Sequence, residues 1–67
     1  MEQYKVKATK EQLATFGIDY NITGLIGELE HKYPTGFYAI KITHTYEAGT
    51  FTNSFDIPKT LLECVGK

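Results

Sequence analysis

The chain has 67 residues, which is enough for one domain with a modest core and excludes a second domain. Hydrophobic residues make up 42% of the sequence and charged residues 22%, a balance that predicts a folded globule and excludes a disordered chain. The formal net charge is -1 and there is no arginine, so the chain lacks the strong positive field and the bidentate side chains typical of nucleic-acid-binding proteins.

Cysteine content and hydropathy indicate the compartment. The single cysteine, Cys64, has no second cysteine in the chain with which to form a disulfide, which suits a reducing environment. No apolar run approaches the roughly 18 residues that a membrane span needs, and the first residues lack the apolar core of a signal peptide. We therefore expect a cytoplasmic protein that does not enter a membrane.

The first third of the chain predicts a strand, a short helix and a long loop. Tyr4 to Ala8 alternates apolar and basic residues, which indicates a half-buried strand whose lysines face water. Thr9 to Gln12 has the spacing of a capping box, Phe16 follows at helical spacing as an expected core residue, and Gly17 stands where a helix ends. Residues 18–23 predict an ordered loop whose apolar members fold inward.

The middle of the chain predicts two strands joined by a tight turn. The apolar residues of segment 24–30 are out of phase for a strand, unless a β-bulge near Gly27 restores the register. Pro34 and Gly36 occupy favoured positions of a type I turn that closes a hairpin. Phe37 to Thr45 then alternates over the longest strand, rich in β-branched and aromatic residues.

The last third predicts a second hairpin, a helical turn and a final strand. Glu47 to Gly49 forms the tight connection. Segment 50–55 alternates strictly, so Phe51 and Phe55 share one face of the strand, and we expect both in the core. Pro58 suits the start of a short helical turn, where its missing N–H costs little. Glu63 to Val65 returns as a short last strand.

This order of elements resembles the SH3-like small β-barrel superfamily. We predict an all-β fold over residues 1–67: a five-stranded SH3-like barrel with a short helix in the first long loop and a single helical turn before the last strand. Segment Asn53 to Val65 is similar to the endings of the small stromal photosystem I subunit and of the ferredoxin-thioredoxin reductase variable chain. Both are accessory subunits, so the resemblance implies docking to a larger partner. Oligonucleotide-binding and split ferredoxin-like folds need helices for which this sequence has no room.

The residues that could carry chemistry do not form a recognisable site. His31 and His44 are the only histidines, and with Glu28 and Glu30 they do not converge as metal ligands would, so we expect solvated edge residues. Cys64 stands between acidic and apolar neighbours and is expected to be a partly buried structural residue. We expect no catalytic residue, no metal and no cofactor.

Aromatic residues in the connections are the candidate partner-binding residues. Tyr20, Tyr33 and Tyr46 lie in or beside the long loop and the two turns, and Phe37 follows the first turn. Tyrosine is favoured in protein contacts because it combines a large ring with a polar tip. We therefore interpret the chain as a non-catalytic protein-protein interaction module, a small accessory or inhibitor protein of phage type that docks on a larger partner. The alternative is that each tyrosine only covers the open end of the barrel.

Two further interpretations stay open. A nucleic-acid-binding barrel would use loop tyrosines for stacking together with exposed lysines, although the net charge and the lack of arginine disfavour it. The lysines in question are Lys5, Lys7, Lys10 and Lys41. A homo-oligomer would form through an exposed strand edge, at Thr50 to Phe55 or at Tyr4 to Ala8, where the lysines of the second segment are of the kind that guard edges.

Overall fold

The structure, a computed structural model, describes residues 2–66 except for the side chain of Tyr46. It is mainly β, with 55% of the described residues in strands and 14% in helical conformation. In chain order the elements are β1 (Gln3–Val6), α1 (Lys10–Thr15), β2 (Ile26–Lys32), β3 (Phe37–Tyr46), β4 (Gly49–Pro58), a 3₁₀ turn (Lys59–Leu61) and β5 (Leu62–Gly66).

The five strands form one antiparallel sheet in the order β4-β3-β2-β1-β5. Strands β2, β3 and β4 are a meander of consecutive neighbours, β1 lies beside β2, and β5 returns to the other side of β1. The all-β class, the five strands, the helix in the first long loop and the helical turn before the last strand are confirmed. Strand β1, one of the two segments considered as an edge, lies between two neighbours.

Helix α1 begins and ends at the signals in the sequence. The Gln12 backbone N–H donates to the Thr9 hydroxyl at 3.2 Å, and the Thr9 N–H donates to Gln12 Oε1 at 2.9 Å, which is the predicted capping box. Gly17 follows the helix with a φ of 80°, a conformation that favours glycine. No helix among residues 2–66 is long and apolar enough to span a membrane.

The first hairpin turn is also confirmed. The Gly36 N–H donates to the Tyr33 carbonyl at 3.1 Å, and Gly36 has a φ of 92°. The Tyr33 N–H donates to the Phe37 carbonyl at 2.8 Å, which closes the turn at the start of β3. Proline at the second turn position and glycine at the fourth explain why the chain reverses here.

The predicted bulge near Gly27 is wrong in position. The register of β2 is regular at Gly27, and the irregularity lies between Leu29 and His31, opposite β3. Glycine is needed at position 27 for another reason: a Cβ atom there would lie 2.6 Å from Ile40 Cγ2. Because the alternation of β2 is not interrupted by a bulge at Gly27, Ile26 points to the outer face, and 52% of its surface is exposed.

The core is aliphatic and draws on most of the chain. Ile18 and Ile22 of the long loop turn inward, as predicted, and cover the sheet beside the α1 residue Leu13. Each large aliphatic side chain buried in this way stabilises the fold by about 1.5–3 kcal/mol. The buried cluster consists of Val6, Ala8, Leu13, Ile18, Ile22, Ile40, Ile42, Phe55 and Ile57.

Two phenylalanines expected in the core are exposed. Phe16 is 44% exposed because α1 ends at Thr15, so Phe16 is a cap residue and no longer follows the helical spacing. Phe51 is 47% exposed, although Phe55 on the same face of β4 is buried. Phe51 pairs with His44 near the hairpin tip, beyond the end of the aliphatic cluster.

Two expectations about polar residues are also wrong. His44 was expected in solvent, but only 6% of its surface is exposed, because strict alternation along β3 places it on the inner face after Ile42. Cys64 was expected to be partly buried and is exposed. It lies on β5, the terminal strand of the sheet, and its thiol donates to the Gly66 carbonyl at 3.6 Å. His31 is exposed, as predicted.

Candidate docking surface

A row of apolar side chains crosses the outer face of the sheet at one end of the meander. Phe37, the first residue of β3, pairs with Pro58, the last residue of β4. Tyr33 is joined to Phe37 by a backbone hydrogen bond of 2.8 Å, one rung beyond the pair Lys32 and Tyr38. Directly opposed residues of antiparallel strands point to the same side. Tyr33, Phe37 and Pro58 therefore share the outer face.

Phe16 joins this row from the end of α1. Its ring packs edge to face on Phe37, with a centroid distance of 5.7 Å and an interplanar angle of 77°. Phe16 is 44% and Tyr33 40% exposed, whereas Phe37 and Pro58 are half-buried. We call these four residues, Phe16, Tyr33, Phe37 and Pro58, the outer aromatic surface. Its two exposed rings are large apolar groups that contribute little to the core.

The backbone beneath the outer aromatic surface is fixed by hydrogen bonds. The Lys59 N–H donates to the Gly36 carbonyl at 3.0 Å, which ties the 3₁₀ turn to the first hairpin turn. The His31 ring packs against Tyr33 at a centroid distance of 4.5 Å, with the rings nearly perpendicular. Tyr33 is thus held by its backbone hydrogen bonds in the hairpin and by the contact of its ring with His31.

A second aromatic group covers the core at the other end of the meander. Tyr20 of the long loop packs edge-on against His44 and against Phe55, in both cases with ring centroids 5.7 Å apart. The Asn53 side-chain amide lies 3.4 Å from His44 Nε2. Tyr20 remains 47% exposed. This arrangement is the one expected of a tyrosine that covers an open end of the fold.

The four predicted partner-binding residues do not form one surface. Phe37 and His44 are seven positions apart on β3, which corresponds to about 23 Å, and an odd separation places them on opposite faces. Tyr33 and Phe37 lie side by side, whereas Tyr20 belongs to the group around His44. The backbone of Tyr46 pairs with Gly49 at the second hairpin, and its side chain lies outside the described part of the chain.

The sequence interpretation missed two members of the outer aromatic surface. The sequence pattern predicts Phe16 in the core and indicates Pro58 only as the start of a helical turn. The available signal for Phe16 was the Gly17 that follows it, because a helix that stops there leaves Phe16 beyond the helical face. Nothing local indicated Pro58, which comes into place only through its pairing with Phe37.

Two of the four candidate lysines stand beside carboxylates. Lys5 pairs with Glu63 of β5, and Lys41 pairs with Glu28 of β2. Opposite charges on directly opposed residues attract each other and offset the local potential. The strand lysines therefore alternate with acidic residues rather than forming a basic stripe.

The histidines and glutamates considered as metal ligands are separated. His44 is buried on the inner face, while His31 is exposed and packs on Tyr33. The Glu30 carboxylate accepts a hydrogen bond from the Ser54 hydroxyl across the sheet. Within residues 2–66 there is no group of three or more His, Cys, Asp or Glu side chains that could hold a metal ion, and no pocket is present there.

A polar cluster ties the first residues to the sheet. The Tyr4 hydroxyl donates to Glu2 Oε2 at 2.8 Å, and this bond, with burial and the Glu2 charge adding to it, raises the pKa of Tyr4 to about 12. Glu2 Oε2 also lies 3.4 Å from Lys32 Nζ, and that ammonium sits 5.4 Å from the centroid of the Tyr38 ring. These contacts hold the Glu2, Tyr4 and Lys32 side chains together at the start of the sheet.

Comparisons of the chain with family models, curated proteins and solved structures found no significant match. The outer aromatic surface combines two exposed rings with a backbone that is fixed by hydrogen bonds.

Proposed function

We propose that this protein is a non-catalytic protein-protein interaction module with an SH3-like barrel fold, and that it docks on a larger partner through the outer aromatic surface. The strand order β4-β3-β2-β1-β5, with the helix in the first loop and the 3₁₀ turn before β5, supports the resemblance to SH3-like barrels. The observation that carries the function is the pair of exposed rings, Phe16 and Tyr33, which flank Phe37 on one face.

Docking would remove these rings from water. Burying a phenylalanine side chain is worth about 1.5–3 kcal/mol, and the Tyr33 hydroxyl offers the partner a hydrogen bond at the edge of the contact. Aromatic residues with these properties dominate the energetics of measured interfaces. The outer aromatic surface carries no charged residue of its own, so the complementary site on the partner should be apolar.

The mode of action that we propose is occupation of a site on the partner, as accessory subunits and small inhibitors do. The outer aromatic surface supports this proposal because it offers exposed rings for a contact. We place the protein in the cytoplasm, where the exposed thiol of Cys64 would stay reduced.

The test begins by identifying the partner through affinity purification of the tagged chain from its native host. The partner is then purified, and its affinity is measured by calorimetry for the wild type and for the double variant Phe16→Ala, Tyr33→Ala. We expect the double variant to bind at least about 30-fold more weakly, since loss of a binding hot spot costs about 2 kcal/mol or more.

The matched control is the double variant Thr43→Ala, Thr45→Ala. These exposed threonines lie on the same outer face of β3, six and eight positions beyond Phe37, or about 20 to 26 Å away. We expect their loss to change the affinity by less than about twofold. Equal affinity of the wild type and the Phe16, Tyr33 variant would refute the proposed surface. Recovery of single-stranded nucleic acid alone, with binding that weakens steeply with salt, would favour the nucleic-acid-binding alternative.

A further inference from the structure

Strand β4 is a long terminal strand of the sheet. It has ten residues and, among the described residues, pairs with β3 alone. All ten rungs of that ladder follow one register, whereas the β1-β5 and β2-β3 ladders both contain a shift. A long and regular terminal strand presents a row of backbone N–H and C=O groups to a further strand.

The edge of β4 lacks the usual protection. Natural edge strands are shielded by charges, proline, bulges or short length. Residues 49–55 contain no charged residue, no proline and no bulge. The nearest charged residue on the strand is Asp56 and the nearest proline is Pro58. The opposite edge, β5, has only five residues, carries Glu63 and has an irregular register. Of the two edges, β4 is therefore suited to pairing.

An exposed aromatic group adjoins the β4 edge. Phe51 is 47% exposed and lies on β4 opposite His44. Tyr20, also 47% exposed, packs on His44 from the long loop. Phe51 and Tyr20 thus both adjoin His44, and Phe51 itself belongs to the unprotected part of the edge.

We propose that β4 pairs with β4 of a second copy of this chain, antiparallel, across a two-fold axis at Phe51. The segment Thr50-Phe51-Thr52 reads the same in both directions. An axis at Phe51 therefore sets Phe51 against its own counterpart and Thr50 against Thr52. Within the chain, threonines already pair in this way across β3 and β4, with hydroxyl oxygens 3.0 Å apart for Thr43 and Thr52.

The charge pattern favours a second copy as the occupant. In a two-fold interface the same patch meets itself, so a charged edge would repel its counterpart. With the axis at Phe51, residues 49–53 face residues 53–49 of the second copy, and because none of them is charged this paired segment is free of that repulsion. An aromatic pair directly opposed across two strands adds to the backbone hydrogen bonds.

The dimer would leave the outer aromatic surface open. Phe37 lies about 23 Å along β3 from His44, which pairs with Phe51, and on the opposite face. Each dimer would then present two docking surfaces and bind a multivalent partner with increased avidity. Only this bivalent docking rests on the proposed function. The strand pairing does not.

The test is the molar mass in solution, measured by sedimentation equilibrium over a range of protein concentrations. We expect twice the 7.6 kDa of one chain at the upper concentrations. Phe51→Lys places two like charges directly opposite each other and removes the aromatic pair, so the dimer dissociation constant should rise about tenfold or more. Phe16→Lys is the matched control, because it adds the same charge at a phenylalanine of similar exposure, and it should leave the dimer intact.

A second edge variant covers the case in which Phe51→Lys does not fold, as judged by its thermal melt. Thr52→Lys changes an exposed residue of the same edge and should also weaken the dimer. A monomer at every concentration, a dimer that both edge variants leave unchanged, or open-ended larger assemblies would overturn the proposal. The two proposals fail separately: Phe16→Lys should abolish partner binding and keep the dimer, whereas Phe51→Lys should weaken the dimer and leave the affinity of each single docking surface for the partner unchanged.

Discussion

Gly27 sets how closely β2 and β3 approach each other. It is buried, and a Cβ atom at this position would lie 2.6 Å from both Ile40 Cγ2 and the Lys41 carbonyl oxygen. One of these contacts is with the backbone, so a rotamer change cannot relieve it. Any side chain at position 27 would therefore push the two central strands apart.

We accordingly expect Gly27→Ala to lower the free energy of unfolding by about 1–3 kcal/mol, the usual range for overpacking a core. Urea denaturation of the wild type and the variant measures this difference. Ile26→Ala is the control: Ile26 is the next residue of β2 but is 52% exposed, so the loss should stay below about 1 kcal/mol. An alanine variant as stable as the wild type would show that the strands can separate without cost.

At the residue scale, the sequence predicts which face a side chain points to better than how well that face is covered. Alternation places Phe51 and Phe55 on the same face of β4, and they do share it. Phe55 is buried against the aliphatic cluster, whereas Phe51 extends past the end of that cluster. Whether a side chain on this face is buried depends on where the long loop crosses the sheet, and the loop residue Tyr20 lies over His44. That position is a long-range property with no local signal.

At the element scale, the capping box fixes where α1 begins. Thr9 and Gln12 satisfy each other's backbone N–H groups, which would otherwise be left without partners at the start of the helix. A helix of six residues has little stability of its own, so we expect the capping box to contribute measurably to the stability of the fold.

Thr9→Ala should therefore destabilise the protein by about 1 kcal/mol. Thr15→Ala is the matched control on the same helix, because the Thr15 hydroxyl only donates to the Glu11 carbonyl within the helix at 3.0 Å. Alanine favours a helix interior, so this control should be neutral or slightly stabilising. Thermal melts of both variants provide the measurement, and equal melting temperatures would contradict the role of the cap.

Elements defined by local chemistry were predicted well. The helix, the Pro34 to Gly36 turn and the 3₁₀ turn after Pro58 each have their signals within a few residues. The bulge in β2 was misplaced because register depends on contacts across the sheet, in this case on how Leu29 and His31 meet β3.

At the scale of the whole molecule, stability should depend on pH through Tyr4. Its pKa is raised from 10.0 to about 12 in the folded protein, chiefly by the hydrogen bond to Glu2. The neutral hydroxyl therefore stabilises the fold fully below about pH 10, and this contribution is lost as the pH rises toward 12. In Tyr4→Phe the fall in unfolding free energy over this window should be smaller, as measured by urea denaturation at several pH values. An identical fall in the variant would remove Tyr4 as its cause.

The candidate docking surface was only partly predictable because it is assembled from distant parts of the chain. Tyr33 and Phe37 flank one turn, so the hairpin alone brings these two residues close together. Phe16 and Pro58 reach the same face from the end of α1 and the end of β4, which requires the full strand order. Tyr20 has the same local features as Tyr33 but covers the core at the other end.

The proposed docking function is tested most directly by photocrosslinking in the native host. A photoreactive phenylalanine analogue replaces Tyr33 in one variant and Thr45 in another. Thr45 lies on the same outer face, about 26 Å along β3 from Phe37. We expect light to join the Tyr33 variant to one larger protein, which the Thr45 variant does not capture. Capture from position 45 and none from position 33 would contradict docking through the outer aromatic surface.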